Sequence, residues 1–272
     1  MSDWEVYAVK YADRNARTRA DSFILDDAHD APHAMDYFIW VLRQGARVIL
    51  VDTGYDAVEA AARGRPIRLD PREALHPFDL RPEDVGEIIV THLHYDHAGG
   101  LALFPKAHLH LQAAEMAFAT GPCMCSDTAR APFTGEHVCE AVRRLYGGKL
   151  SFHDQDAEVA DGVYVHRIGG HSLGLQAVRV RTRSGWMVLA SDGAHYYENL
   201  WARKLFPIVQ DRAQMLRGFD RLEALASRPD LIVPGHDPLV TQVFERAMAD
   251  HVFRLDTGPL KAIPGVPDNR QS

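Results

Sequence analysis

The chain has 272 residues, 46% hydrophobic and 25% charged, with a formal charge of -7 at pH 7 and a pI near 6.1. It is long enough to bury an ample core, and its acidic balance argues against a nucleic-acid partner, because a surface that neutralises phosphates is normally basic. The longest apolar runs, such as Arg47-Val48-Ile49-Leu50-Val51, are far too short to span a bilayer.

The N-terminal Met1-Ser2-Asp3-Trp4-Glu5-Val6-Tyr7 has neither a basic n-region nor an apolar h-region. A soluble, cytoplasmic protein is expected, monomeric or homodimeric, with a small-molecule substrate and no nucleic-acid or membrane partner. Asp36 to Trp40 alternates aromatic groups and reads as a strand rather than a lid. The preceding polar stretch, Tyr11 to Asp27 with Arg14, Arg17 and Arg19, is a candidate lid. Arg47 to Asp52 and Glu87 to Val90 read as buried strands rich in β-branched residues. Between them, Ala57 to Arg63 is predicted helical and stopped by Gly64, ahead of a stretch punctuated by Pro66, Pro71, Pro77 and Pro82.

Further along, Ala107 to Leu111 is a predicted strand and Gln112 to Thr120 the start of a helix; the segment around Gly121 to Gly135 is a second candidate lid. It holds Cys123 and Cys125, which with Cys139 make an odd count, so free reduced thiols are expected. Gly162 to Ile168, Leu175 to Thr182 and Trp186 to Ala190 are strands, the last two joined by a turn at Ser184-Gly185. Trp201, Leu205 and Phe206 belong either to the core or to an apolar pocket wall. Asp211 to Ser227 carries apolar residues at three-residue steps, the stripe of an amphipathic helix, and Leu231-Ile232-Val233 is a short final strand. One domain over residues 1–257 is expected, followed by an extended tail over 258–272.

The chemistry concentrates in Thr91-His92-Leu93-His94-Tyr95-Asp96-His97, which follows the strand ending at Val90. Side chains alternate along an extended segment, so His92 and His94 point the same way and can share one metal ion. Asp96 and His97 follow at the turn, where Gly99-Gly100 lets the backbone bend, and face a second ion. Imidazoles suit zinc, iron, nickel or copper, and the carboxylate tilts the choice toward zinc or iron. Two metals need more ligands than this segment supplies. Three others sit at strand ends beside glycine: His171 in Gly169-Gly170-His171, Asp192 in Ser191-Asp192-Gly193, and His236 in Pro234-Gly235-His236.

That ordered set of motifs, over roughly residues 35 to 240, resembles the metallo-β-lactamase superfamily and, within it, the quorum-quenching N-acyl-homoserine lactonase group, which shares Asp52-Thr53-Gly54 and a similar His-Ala-Gly-Gly after the first motif. The resemblance implies an α/β architecture of four layers, an αββα sandwich of two mixed sheets flanked by helices, with a dinuclear site on one edge. It implies two Zn2+ ions, with iron, manganese or cobalt as substitutes. His92, His94 and His171 would hold the first ion, Asp96, His97 and His236 the second, and Asp192 would bridge them. Asp52 either accepts a hydrogen bond from a ligand imidazole or caps the turn that it opens.

The implied activity is hydrolysis of a lactone, an N-acyl-homoserine lactone or a related small lactone or ester, by a metal-bridging hydroxide, with Asp96 orienting it or passing a proton to the leaving oxygen. The chain departs from the lactonase pattern at one place: the tyrosine usual three residues after the bridging aspartate is His195, followed by Tyr196 and Tyr197. His195 substitutes as donor, Tyr196 reaches in, or the substrate differs. The alternatives within the superfamily are a glyoxalase II-like thioesterase, a lactamase or a phosphodiesterase. A flavodiiron-type redox protein fits less well, since those relatives carry glutamate where this chain has His94 and no flavin domain follows.

Overall fold

In the computed structural model, residues 3–26 and 28–267 are described. Met1, Ser2, the Asp27 end of the first candidate lid and residues 268–272 of the expected tail lie outside them. Thirteen strands form two sheets. The strands are β1 (Glu5–Arg14), β2 (Met35–Gln44), β3 (Arg47–Val51), β4 (Glu87–Ile89), β5 (His108–Gln112), β6 (Leu150–His153), β7 (Ala157–Ala160), β8 (Val163–Arg167), β9 (Gln176–Thr182), β10 (Gly185–Ser191), β11 (Ile232–Pro234), β12 (Glu245–Arg246) and β13 (Val252–Arg254). The helices are α1 (Ala57–Arg63), α2 (Tyr95–Ala98), α3 (Ala113–Ala119), α4 (Asp127–Arg130), α5 (Gly135–Tyr146), α6 (Tyr197–Trp201), α7 (Arg212–Leu225) and α8 (Leu239–Val243).

One sheet runs β12-β13-β1-β2-β3-β4-β5-β6 and the other β11-β10-β9-β8-β7; both mix parallel and antiparallel pairs. The period-2 alternation of each strand builds the layers. Along β1 and β2, Val6, Ala8, Phe38, Trp40 and Leu42 face the second sheet, where Val165, Val178, Val180 and Leu189 meet them. Tyr7, Val9, Ile39 and Val41 face the opposite way, onto a core shared with α5. On the outer face of the smaller sheet, Val188, Ala190 and Ile232 pack under Met215, Phe219 and Leu222 of α7. Helix, sheet, sheet and helix make the four-layer αββα sandwich.

Several predicted bounds shift. The hairpin between β9 and β10 turns at Arg183-Ser184, because Thr182 already pairs with Gly185. Leu231 to Val233 is not the last strand: β12 and β13 follow and extend the larger sheet through β1. Two- and three-residue strands that carry charge leave no alternation to read. Gly99-Gly100 is not a bend in left-handed backbone; a Cβ at either residue would lie within 2.6 Å of a backbone oxygen, Tyr95 O or Thr53 O, so close approach demands glycine there. Residues 258–267 are irregular, yet Ile263 is buried in the inter-sheet core. Among the described residues no helix is long and apolar enough to cross a membrane, and Cys123, Cys125 and Cys139 are free and exposed.

At the flank of the larger sheet, β5 and β6 stack the His110 and His153 rings 5.3 Å apart, with His110 Nδ1 and His153 Nε2 at 3.1 Å. Burial, with the His153, His108 and Arg47 charges, pushes buried His110 down to about 4. The unfolded chain therefore takes up this proton first, near its ordinary value of about 6.5. Stability present above pH 6.5 is lost as pH falls toward about 4 and changes no further below it. Between pH 7.5 and 4.5 the wild type should lose about 2 kcal/mol more than a His110→Phe variant in urea unfolding; equal losses would refute the assignment.

Candidate metal centre

The ends of β4, β8, β10 and β11 converge on one edge of the sandwich, and the two sheets are tied there. Gln176 N–H donates to Thr91 O at 3.0 Å, and Asp36 N–H donates to His236 O at 2.9 Å. After β4 the chain runs through 90–93 without regular structure to His94, which is extended (φ -67°, ψ 155°), and then turns into α2, so Asp96 and His97 stand on a short helix rather than in a loop. Tyr11 sits at a β-bulge in β1, and its hydroxyl donates to Asp96 O at 3.0 Å, fixing that helix from below. Gly169 and Gly170, after β8, have φ of +71° and +83°; a Cβ at Gly170 would lie 2.6 Å from the Met215 backbone, so His171 is set by direct packing of its loop on α7.

The structure brings together all seven predicted metal ligands, and each is buried. Among the described residues, four groups of three hold ligand atoms within 4.8 Å of one another: His92-His97-Asp192, His171-Asp192-His195, and two that share no residue, His92-His94-His171 and Asp96-His97-His236. Asp192 stands between them. Its Oδ2 lies 3.8 Å from His92 Nε2 and 3.1 Å from His171 Nε2, while its Oδ1 lies 3.2 Å from His97 Nε2 and 3.1 Å from His236 Nε2. Each oxygen thus faces one group.

The hydrogen bonds behind the rings fix which nitrogen faces inward. His97 Nδ1–H donates to Asp52 Oδ2 at 2.7 Å, His171 Nδ1–H to Ile208 O at 2.5 Å, and His236 Nδ1–H to Asp36 O at 2.8 Å. Thr91 spends its hydroxyl proton on Asp52 Oδ2 at 2.7 Å, which leaves its oxygen to accept from His92 Nδ1 at 3.1 Å. In each case Nδ1 carries the proton and Nε2 offers its lone pair to the centre. His94 is reversed, with Nδ1 2.9 Å from His171 Nε2. Asp52, in left-handed backbone at φ +62°, also takes the Thr91 N–H at 2.7 Å, so it orients His97 and ties the β3 and β4 ends together.

This donor set fits metal ions. His92 Nε2, His97 Nε2 and Asp192 Oδ1 are buried without a protein hydrogen-bond partner, a costly state unless a cation takes up their lone pairs. Burial and neighbouring imidazoles hold His92 and His94 well below the ordinary histidine range, keeping them neutral. Burial acts the same way on His97, but the Asp192, Asp52 and Asp96 carboxylates outweigh it and push His97 well up. His236 is raised against burial by Asp192 and Asp96. The second group therefore demands positive charge, from a proton or from a metal.

The substrate-contacting predictions divide. His195 Nε2 donates to Asp192 Oδ2 at 2.9 Å, and its ring stacks on Phe206 at 3.6 Å. Burial pushes His195 down to about 3, although Asp192 pulls the other way. Tyr196 is not brought to the centre: its hydroxyl receives the Ser22 Oγ hydrogen bond at 3.3 Å, and its ring lies against Phe23 and His33. Residue 196 is extended, at φ -131° and ψ 155°, so consecutive side chains leave in opposite directions.

A cavity of about 580 Å³ opens above the centre. Phe206 forms part of its wall, whereas Trp201 lines a neighbouring cavity and Leu205 packs on the α7 core. Ser126, Thr128 and Pro132 bring the second candidate lid to its rim, and Arg14 and Arg17 bring the first.

Sequence reasoning missed three contributors. Tyr37 lines the cavity edge-on to His236, with ring centroids 5.0 Å apart, and its hydroxyl is 3.5 Å from that of Tyr95. Burial holds both phenols protonated. Glu115 of α3 lies buried behind the ligand loops and joins them.

A family model described as the metallo-beta-lactamase superfamily matches residues 35–236. The chain is similar to a probable metallo-hydrolase of Mycobacterium tuberculosis, 28% identical over 236 residues, which span 72% of this chain and 73% of that protein. It is also similar to an N-acyl homoserine lactonase of Bacillus cereus, 30% identical over 159 residues, 58% of either chain. Among solved structures, an N-acyl homoserine lactone hydrolase with N-hexanoyl-L-homoserine bound at its catalytic metal centre superposes with a TM-score of 0.72 at 22% identity, covering 88% of this chain and 95% of that one.

Proposed function

The chain belongs to the metallo-beta-lactamase superfamily, and from that premise we propose that it is a dinuclear-metal hydrolase that opens a lactone, an N-acyl-homoserine lactone or a related small lactone or ester. The observation that carries this proposal is Asp192, whose two oxygens face two separate histidine groups at 3.1 Å to 3.8 Å. The similarity to lactonases supports the choice of substrate class.

His92, His94 and His171 would hold one ion and Asp96, His97 and His236 the other, with Asp192 shared; zinc suits this set of imidazoles and carboxylates. Bound metal would supply a Lewis acid for the carbonyl and a water activated near neutral pH. The remaining work falls to side chains. Asp96 lines the cavity floor and can take a proton there and return it to the leaving oxygen. His195, neutral and stacked on Phe206, steadies Asp192 Oδ2 through Nε2–H and fixes its orientation at the cavity.

The test is a panel of lactones, thioesters, a β-lactam and a phosphodiester on metal-quantified protein. Lactones should be turned over fastest; preference for a thioester would transfer the site to a glyoxalase II-like activity. On the best substrate, His195→Phe should lower kcat/KM by about 100-fold, whereas Tyr196→Phe, which removes only the Ser22 contact, should stay within about 3-fold. The opposite order would overturn the role given to His195.

A further inference from the structure

The cavity above the centre is lined by more unpaired positive charge than a neutral substrate requires. Arg14, Arg17, Arg63 and Arg65 all contribute to its wall. Arg63 is paired with Glu59. The other three have no carboxylate within ion-pair distance among the described residues, although the chain carries 37 acidic side chains against 30 basic ones. Most of the other arginines, Arg19, Arg47, Arg68 and Arg72 among them, are paired.

All three are half-buried. Arg17 donates from Nη2 to Asp21 O at 2.8 Å and Ser22 Oγ at 3.3 Å, while its Nε is buried with no partner. Arg65 donates from Nη1 to the Tyr95 hydroxyl, and its guanidinium carbon lies 4.9 Å from the Tyr95 ring centroid. The Arg14 side chain makes no hydrogen bond or ion pair with a described residue, although its backbone lies in register with Met35. Three carboxylates line the same cavity, Asp96 and Asp192 of the metal centre and Asp21, whose Oδ2 is occupied by the Thr18 N–H at 2.9 Å; none of them is within ion-pair distance of these arginines. Partly desolvated guanidinium groups without counterions are costly, and their planar forks match carboxylate and phosphate oxygens.

We propose that Arg14, Arg17 and Arg65 form an anion subsite, so that the substrate of this centre carries a carboxylate or phosphate group away from the bond that is cleaved. This deepens the hydrolase proposal and rests on it for the identity of the reacting bond. A neutral acyl tail would leave three guanidiniums unmatched. An anionic tail would pair with them while its ring lies over Asp96, Asp192 and His195 on the same cavity.

The experiment compares three lactones of equal chain length, ending in a methyl ester, a carboxylate or a phosphate, on metal-loaded protein. A second arm measures calorimetric binding of the corresponding lactams, which are not hydrolysed. At least one anionic form should exceed the neutral form by about 10-fold in both kcat/KM and affinity. The ratio should collapse in Arg17→Gln and Arg65→Gln, but not in Arg72→Gln, whose exposed side chain pairs with Asp70. Equal handling of neutral and anionic lactams by the wild type overturns the subsite. If no lactone is opened while anionic lactams still bind preferentially, the subsite stands and the lactonase proposal falls.

Discussion

Asp192→Asn should leave the protein with fewer than two metals per chain and lower kcat by about 1000-fold or more, equivalent to roughly 4 kcal/mol of transition-state stabilisation. The two Asp192 oxygens serve two histidine groups at once, Oδ2 toward His171 at 3.1 Å and Oδ1 toward His236 at 3.1 Å. An asparagine keeps the shape but replaces one oxygen with an NH2, which can donate but cannot ligate. Whichever way the amide turns, one group loses its shared ligand, and the site loses a negative charge that the surrounding imidazoles hold well below the ordinary carboxylate range against the effect of burial. Asp96→Asn is the informative companion, because among the described residues the Asp96 carboxylate approaches the His97 and His236 rings alone, each at 3.7 Å. That variant should retain one tightly held metal while Asp192→Asn weakens both. Two metals per chain in Asp192→Asn, measured by elemental analysis, would sink the bridging role.

Much of this centre is legible in the sequence because its ligands obey local rules. His92 to His97 are consecutive, and their facing follows from backbone periodicity. His171, Asp192 and His236 each follow a recognisable apolar strand, and strand ends are where side chains of α/β sheets converge. Asp52 is half legible: its position after β3 suggests a turn cap, and only the 2.7 Å contact with His97 shows that it orients a ring. Contacts made by side chains with no local signature stay hidden. Tyr37 sits in a strand buried on both faces, so alternation cannot say that its ring reaches the cavity. His195 and Tyr196 are adjacent and both plausible, and it takes the extended backbone at residue 196 to send one toward Asp192 and the other toward Ser22. The unpaired arginines are invisible for a different reason: pairing is a property of the fold, and Arg65 reads like any residue of a proline-rich connection.

Glu115 is the largest structural contribution that the sequence hides. An acidic residue in the first turn of a helix reads as a solvated face, yet this one is fully buried. Its Oε1 accepts Leu93 N–H at 2.9 Å, between the two ligands His92 and His94, and its Oε2 accepts Ser172 Oγ–H at 2.6 Å and Gly174 N–H at 3.0 Å, just past His171. One carboxylate thus binds the loops that carry three of the metal ligands. Burial raises its proton affinity, and the three donors work against that effect. Glu115→Ala leaves three buried donors unsatisfied at about 1–3 kcal/mol each and opens a cavity, so the metal-free variant should be destabilised by about 4 kcal/mol. Glu115→Gln preserves the volume but sets an NH2 against at least one N–H donor, and should cost about half as much. Both losses should appear in urea unfolding of metal-stripped protein. The affinity of the His92-His94-His171 group for zinc should fall by about 10- to 100-fold, while Asp96, His97 and His236, which do not touch Glu115, keep theirs. A Glu115→Ala protein with unchanged stability would show that the two loops hold their geometry without this carboxylate.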